Sequence, residues 1–335
     1  MMSIRPNLMH VVSAIALGAV LCACSASNDD SGGWTPGGGD AGDDGTTPPE
    51  PKPYPAWSKG GTADDGLARL NEYRTLAGLA PVQGNNDAAH ACEGHLDYLI
   101  WESKSNGKGQ CYLSHTEPNH SNPNYSADNE NAGKNSVIAC GYGSNGDQGL
   151  AEAVDLWINS LYHRLPLLHA GLTEVGFASK QGWNCINYRP GTQKTKAAAA
   201  VIWPPAETYD VPTDFVGFEA PCPTKVDNPL ATNGMDCQGS GFIVTASWNN
   251  WGGFQSVQSV DLIEDATGTP VPLLVWYGDG VVGHDPAKGY TPDTISIVPQ
   301  ASLAANTKYR VDIKATVGGD ASNVLTSFTT GDRIK

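Results

Sequence analysis

The apolar pattern of this chain changes period once, at Pro204-Pro205, and that break limits the fold more than any other feature. Upstream the period is helical. Leu67, Leu70, Arg74 and Ala77 fall on one stripe at three- and four-residue steps, which Gly78 and Pro81 end. A second helix follows the Asn85-Asn86-Asp87 capping cluster and carries Ala88, Cys92, His95 and Leu99 on one side. Ser103 to Gly149 reads as a polar loop region broken by Gly, Asn and Pro. A third helix runs from Leu150 to about Leu161, with Val154, Trp157, Ile158 and Leu161 as its apolar side. Gly176-Phe177-Ala178, Cys185-Ile186-Asn187-Tyr188 and Ala198 to Trp203 predict short strands ended by Gly or Pro. Helices flanking a small sheet make a three-layer αβα sandwich, an α+β fold.

Downstream the helical period is gone. Ile243 to Trp248, Val257 to Leu262, Leu273 to Trp276, Thr294 to Val298, Tyr309 to Thr316 and Ser327 to Thr330 alternate or run apolar between turn residues. That spacing suits an all-β sandwich. Leu303-Ala304-Ala305-Asn306-Thr307-Lys308-Tyr309-Arg310-Val311, followed by Ser327-Phe328-Thr329-Thr330-Gly331, resembles bacterial Ig-like surface domains, which serve as spacers or adhesive units. The sequence thus divides into residues 59–206 and 207–335, in keeping with the usual domain size.

The first residues set the expected compartment. Arg5 precedes an apolar run from Val11 to Ala23, too short for a spanning helix of roughly 20 apolar residues but right for a secretory leader. Leu21-Cys22-Ala23-Cys24 resembles a bacterial lipobox. Cys24 follows a small residue and is the expected lipidation site, with residues 1–23 as signal peptide; an ordinary signal peptide cut nearby is the other reading. The membrane is then a partner through an acyl anchor. Ser25 and Ala26 carry no inner-membrane retention aspartate, so the expected location is the outer membrane or cell surface. Residues 24–58, rich in Gly, Asp, Pro, Ser and Thr, read as a disordered tether.

A formal charge of −15 argues against nucleic acid as a partner, because phosphates need a basic footprint. Beyond Cys22 and Cys24 stand Cys92, Cys111, Cys140, Cys185, Cys222 and Cys237, an even set that reads as disulfides in an exported chain. No C-x-x-C spacing suggests a zinc knuckle. Fifteen pairings are formally open. The division at Pro204-Pro205 favours Cys222–Cys237, and the order along the first part suggests Cys92–Cys111 and Cys140–Cys185.

Four patterns in order carry a family resemblance: Leu70-Asn71-Glu72-Tyr73-Arg74, Leu113-Ser114-His115, Asn129-Glu130-Asn131-Ala132, and Trp157-Ile158-Asn159-Ser160-Leu161-Tyr162-His163-Arg164 followed by Thr173-Glu174-Val175-Gly176. Together they resemble the bacterial branch of the CAP family, that of cysteine-rich secretory proteins, antigen 5 and plant pathogenesis-related proteins. The resemblance spans about residues 65 to 205, with Asn129 in place of the family's glycine. It implies that His115, His163 and Glu130 converge on a cleft floor and can hold a divalent cation such as zinc. The second acidic position of the family falls on Ser160, a departure expected to weaken cation binding unless Glu174 or Asp128 substitutes.

Two imidazoles and one carboxylate can make a three-ligand site with an open position for water. The same residues can instead order loops by hydrogen bonding. His95 lies on the buried helical stripe and is read as core, as is Trp157; His169 is a weaker candidate, and His90, His120 and His284 are expected to be exposed. No His-Glu-x-x-His, Walker loop or Gly-x-Ser-x-Gly elbow occurs, Gly239-Ser240-Gly241 being a Gly-rich turn, and no organic cofactor is implied. Two function classes follow. One is a surface binding module for a small lipid, glycan or peptide ligand, with or without a cation. The other is a metal-assisted hydrolase in which His115, Glu130 and His163 are the candidate catalytic groups.

Overall fold

The computed structural model describes residues 49–109, 111–141, 149–188, 191–192, 199–215, 219, 222–223, 239–249, 254–277 and 293–332. Cys24, the leader, most of the tether, Cys237 and His284 lie outside them.

Helix α1 (Ala63–Leu76) starts on a capping box in which the Thr62 hydroxyl accepts from the Asp65 amide and the Asp65 carboxylate accepts from the Thr62 amide. Helix α2 (Asn86–Lys104) starts where the Asn85 side chain accepts from the Ala88 amide at 2.8 Å. The segment expected to be loop contains helix α3 (Ala127–Lys134) and a strand. Both escaped the periodicity argument for physical reasons. Helix α3 is short and polar, without an apolar stripe, and the strand Ser136–Cys140 is covered on both faces, so its residues do not alternate. Helix α4 (Leu150–Asn159) and the one-turn helix α5 (Arg164–Leu167) follow.

Numbering strands along the chain, β1 is Lys52–Pro53, β2 Gln83–Gly84, β3 Ser136–Cys140, β4 Glu174–Lys180 and β5 Trp183–Asn187. One sheet has the order β2-β4-β5-β3. Alternate residues of each strand serve opposite faces. Val137, Ala139, Val175, Phe177 and Ile186 pack with Leu70, Tyr73, Val154 and Trp157 of α1 and α4. Ile138, Ala178 and Cys185 pack with Cys92, Leu96 and Leu99 of α2. The three-layer αβα sandwich is therefore present. A Cβ at Gly176 would stand 2.2 Å from the Ala88 carbonyl carbon, so β4 requires glycine there for α2 to approach so closely.

The β-rich part comprises β6 (Val201–Trp203), β7 (Thr208–Val211), β8 (Val244–Ser247), β9 (Phe254–Glu264), β10 (Thr269–Pro270), β11 (Leu273–Tyr277), β12 (Thr294–Pro299), β13 (Lys308–Val317) and β14 (Asp320–Thr330). They form two sheets, β11-β12-β8-β6 and β1-β7-β14-β13-β9-β10. Val244, Ala246, Ile295 and Ile297 of the first share an apolar cluster with Leu262, Val311, Ile313 and Phe328 of the second.

Strand pairing crosses two of the expected boundaries. Strand β6, read as part of the helical half, pairs antiparallel with β8, Trp203 standing opposite Thr245. Strand β1, read as tether, pairs parallel with β7 and leads into Tyr54, a buried residue of the same cluster. A short strand can pair with a partner far along the chain, and local composition carries no sign of it. Residues 49–335 form one compact unit.

The disulfides also differ from expectation. Cys92 joins Cys185, binding α2 to β5, and Cys111 joins Cys140, binding the loop after α2 to the end of β3. The pairing by order along the chain fails because α2 is rigid. Cys92 lies near its first turns, and at about 1.5 Å per residue the helix holds it far from its own C-terminal end. In the sheet, Cys185 stands opposite Ile138 and faces α2, while Cys140 stands opposite Trp183. Cys222 is disulfide-bonded; Cys237, its expected partner, is outside the described residues.

Candidate functional site

The site is assembled on a buried histidine that is not itself part of the expected set. His95, on the inner side of α2, has Nδ1 2.8 Å from Glu117 Oε1 and Nε2 2.8 Å from the Ser114 carbonyl. The second Glu117 oxygen accepts from the Ser126 amide at 3.2 Å, at the N-cap of α3. His95 thereby fixes both ends of the 114–117 segment. Gly133 of α3 lies so close to the His95 ring that an added Cβ would be 2.4 Å from it. The Gly133 carbonyl in turn accepts from His115 Nδ1 at 2.8 Å. The reading of His95 as a satisfied core residue holds, and the structure adds that it positions His115.

Solvent reaches the His115 ring, yet enough protein surrounds it to push its pKa below the usual 6.5. Desolvation is the main cause; the hydrogen bond to Gly133 opposes it, and repulsion from His163 and His95 adds to it. His115 and His163 thus lie within electrostatic reach of each other.

His163 follows the C-cap of α4, Ser160, and immediately precedes α5. The next residue anchors it. Arg164 is fully buried and donates from Nε to the Ile158 carbonyl at 2.7 Å and from Nη1 to the Ile243 carbonyl at 2.9 Å and Thr245 Oγ1 at 3.2 Å. Burial pushes the Arg164 pKa down to about 10, with Tyr54 and Glu219 opposing the shift. The imidazole of His163 has Nδ1 2.8 Å from Glu219 Oε1 and 3.3 Å from Ser160 Oγ. The same Glu219 oxygen accepts from the amides of Tyr162 at 2.6 Å and His163 at 3.2 Å. Glu219 is a buried carboxylate from beyond Pro204-Pro205, and no sequence signal pointed to it: the Phe-Glu-Ala-Pro-Cys sequence there carries no period or motif.

Glu130 has an ion-pair partner on its own helix. It extends along α3 to Lys134 Nζ at 2.8 Å, an i,i+4 pair. Its carboxyl is held below the usual range by the Lys134 hydrogen bond first, with further contributions from Lys134 charge, the Glu117 backbone and His120. Among the described residues no three His, Cys, Asp or Glu side chains group as a cation cage. His115 and His163 share one hydrogen-bonding pattern. Each Nδ1 is engaged by an acceptor oxygen, Gly133 O or Glu219 Oε1, which leaves Nε2 as the lone-pair face, and metal-binding histidines are held in this way.

The other histidines follow expectation where they are described. His90 is 80% exposed, His120 is exposed and stacks on Tyr125 at 4.1 Å, and His169 is buried with Nδ1 accepting from the Gly171 amide. Trp157 is core. No helix among the described residues is long and apolar enough to cross a membrane.

Residues 67–189 match the model of the cysteine-rich secretory protein family, CAP. Among solved structures the chain is similar to an extracellular protein containing a SCP domain from Bacillus anthracis str. Ames, at 21% identity and a TM-score of 0.29. The match covers 37% of this chain and 39% of that one. A comparison with curated proteins finds no match. Residues 67–189 form a CAP domain, the module of the cysteine-rich secretory protein family.

Proposed function

We propose that the protein is an extracytoplasmic binding module, lipid-anchored through Cys24, whose CAP domain engages a small lipid, glycan or peptide ligand at His115 and His163. The observation that supports this reading is the shared hydrogen-bonding pattern of the two rings. Both have Nδ1 engaged by fixed oxygens, so both offer Nε2 to a hydroxyl or amide of a ligand, or to a divalent cation such as zinc that bridges to one. Two disulfides support an oxidising compartment outside the cytoplasm, and the β-rich part, read as an Ig-like unit, carries the module. The hydrolase reading is weaker because Glu130, its expected ligand or base, is engaged by Lys134.

The test is a thermal-shift and calorimetric panel with zinc chloride, a fatty acid, a soluble oligosaccharide and a short peptide, run on the purified full chain and on a His115→Ala, His163→Ala double variant. Binding of one of these that the double variant loses supports the reading. Absence of binding by all four overturns it, and hydrolysis of one of them abolished in the double variant replaces it with the hydrolase reading.

A further inference from the structure

We propose that Glu219 is the positioning residue of His163, so that the site of the CAP domain is completed by a carboxylate from the β-rich part of the chain. This deepens the proposed function and rests on its assignment of His163 to the site. The family resemblance places an acid where this chain has Ser160, and the Ser160 hydroxyl stands 3.3 Å from His163 Nδ1. Glu219 Oε1 stands at 2.8 Å from the same nitrogen. The carboxylate that position 160 lacks is therefore supplied in space by position 219.

The geometry assigns more than proximity. Glu219 Oε1 also receives the amide protons of Tyr162 and His163, at 2.6 and 3.2 Å. An oxygen holding two N–H donors accepts a third, so the proton of the neutral imidazole sits on Nδ1, and Nε2 is the acceptor. The carboxylate is buried, which leaves it little freedom to turn away. Ser160 is a poorer candidate for this role, because its hydroxyl already donates to the Trp157 carbonyl at 2.8 Å. His115 reaches the same tautomer by a local route, through the Gly133 carbonyl. One imidazole is thus oriented from within the CAP domain and the other from outside it. A CAP domain isolated from its C-terminal neighbour would retain His163 but lose its orientation.

The experiment is nitrogen NMR of the full chain labelled with 15N-histidine, above the titration range, with His163 and His115 assigned by single-histidine variants. In the wild type the neutral His163 ring is expected in the Nδ1–H form. In Glu219→Ala it is expected to shift to a majority of the Nε2–H form, while His115 keeps Nδ1–H as an internal control of folding. An Nε2–H ring in the wild type overturns the proposal without any variant being needed. So does a Glu219→Ala ring that stays Nδ1–H, or a shift produced by Ser160→Ala and not by Glu219→Ala. Zinc titrated into the same samples separates this inference from the reading beneath it. A loss of zinc affinity of about 10- to 100-fold in Glu219→Ala supports both. A tautomer shift with no zinc uptake supports the role of Glu219 and removes the cation from the proposed function.

Discussion

The Tyr54 phenol donates to Asn159 Oδ1 at 2.9 Å, linking the segment just before α1 to the last residue of α4. Its ring sits edge-on to Tyr73, Trp203 and Phe242 at 6.1, 5.6 and 5.8 Å. One residue therefore contacts α1, α4, β6 and the approach to β8. The N-terminal strap, the CAP domain and the β-rich part meet at that ring, and the stability of each depends on the others.

Asp155 holds the strap from the CAP side. It is fully buried and accepts from Arg69 Nε at 2.6 Å, from the Tyr73 phenol at 2.7 Å and from the Ser58 amide. Asp155→Ala removes the buried partner of the Arg69 guanidinium and leaves it the partly exposed Glu72 carboxylate and the Ala56 carbonyl, a change expected to cost about 1.5–3 kcal/mol. Urea unfolding at pH 7 checks this, and a loss below about 1 kcal/mol would show that the pair contributes little. Amide exchange at Ser58 is expected to accelerate in the same variant.

A fragment of residues 49–206 is expected not to fold cooperatively. It would expose Trp203 and Leu161, both fully buried in the whole chain, and leave Arg164 without the Ile243 and Thr245 acceptors. Such a fragment should bind a hydrophobic dye and lack a sharp thermal transition. A cooperative transition with native near-ultraviolet dichroism would mean that the CAP domain is autonomous.

Non-reducing peptide mapping should recover Cys92 linked to Cys185 and Cys111 linked to Cys140. Replacing the Cys111–Cys140 pair with serine is expected to lower stability by about 2–4 kcal/mol, through the entropy regained by the unfolded loop. Recovery of Cys92–Cys111 peptides would contradict the packing of α2 on β5.

Acid should weaken the fold in two separate windows. His115 and His169 are held below the ordinary 6.5, mainly by desolvation, with repulsion from His163 and His95 for the first and from Arg74 for the second. The folded state then binds fewer protons than the unfolded state as the pH drops below 6.5, so stability falls with pH there. Glu130, held by Lys134, and Glu207, held by Ser327 and then Lys308, are shifted below 4.5, and their contribution is lost only in the lower window. Denaturant titrations at stepped pH with a chelator present should show a smaller slope below 6.5 in His115→Asn and His169→Asn. An unchanged slope in both variants would remove the histidine window.

What the sequence alone determined was local. The cap at Asn85, the stripe ending at Gly78, the helix carrying Trp157 and the two-residue alternation after Pro204-Pro205 each follow from a few neighbouring residues, because helix and strand periods are set by backbone geometry. His115 and His163 were legible through motif order. Tertiary structure decided the rest. Glu219 reaches His163, Tyr54 enters the core, β6 joins β8 and Cys92 finds Cys185, all by contacts between segments distant along the chain. The Glu130–Lys134 pair is of the other kind, because an i,i+4 partner on the same helix is always within reach.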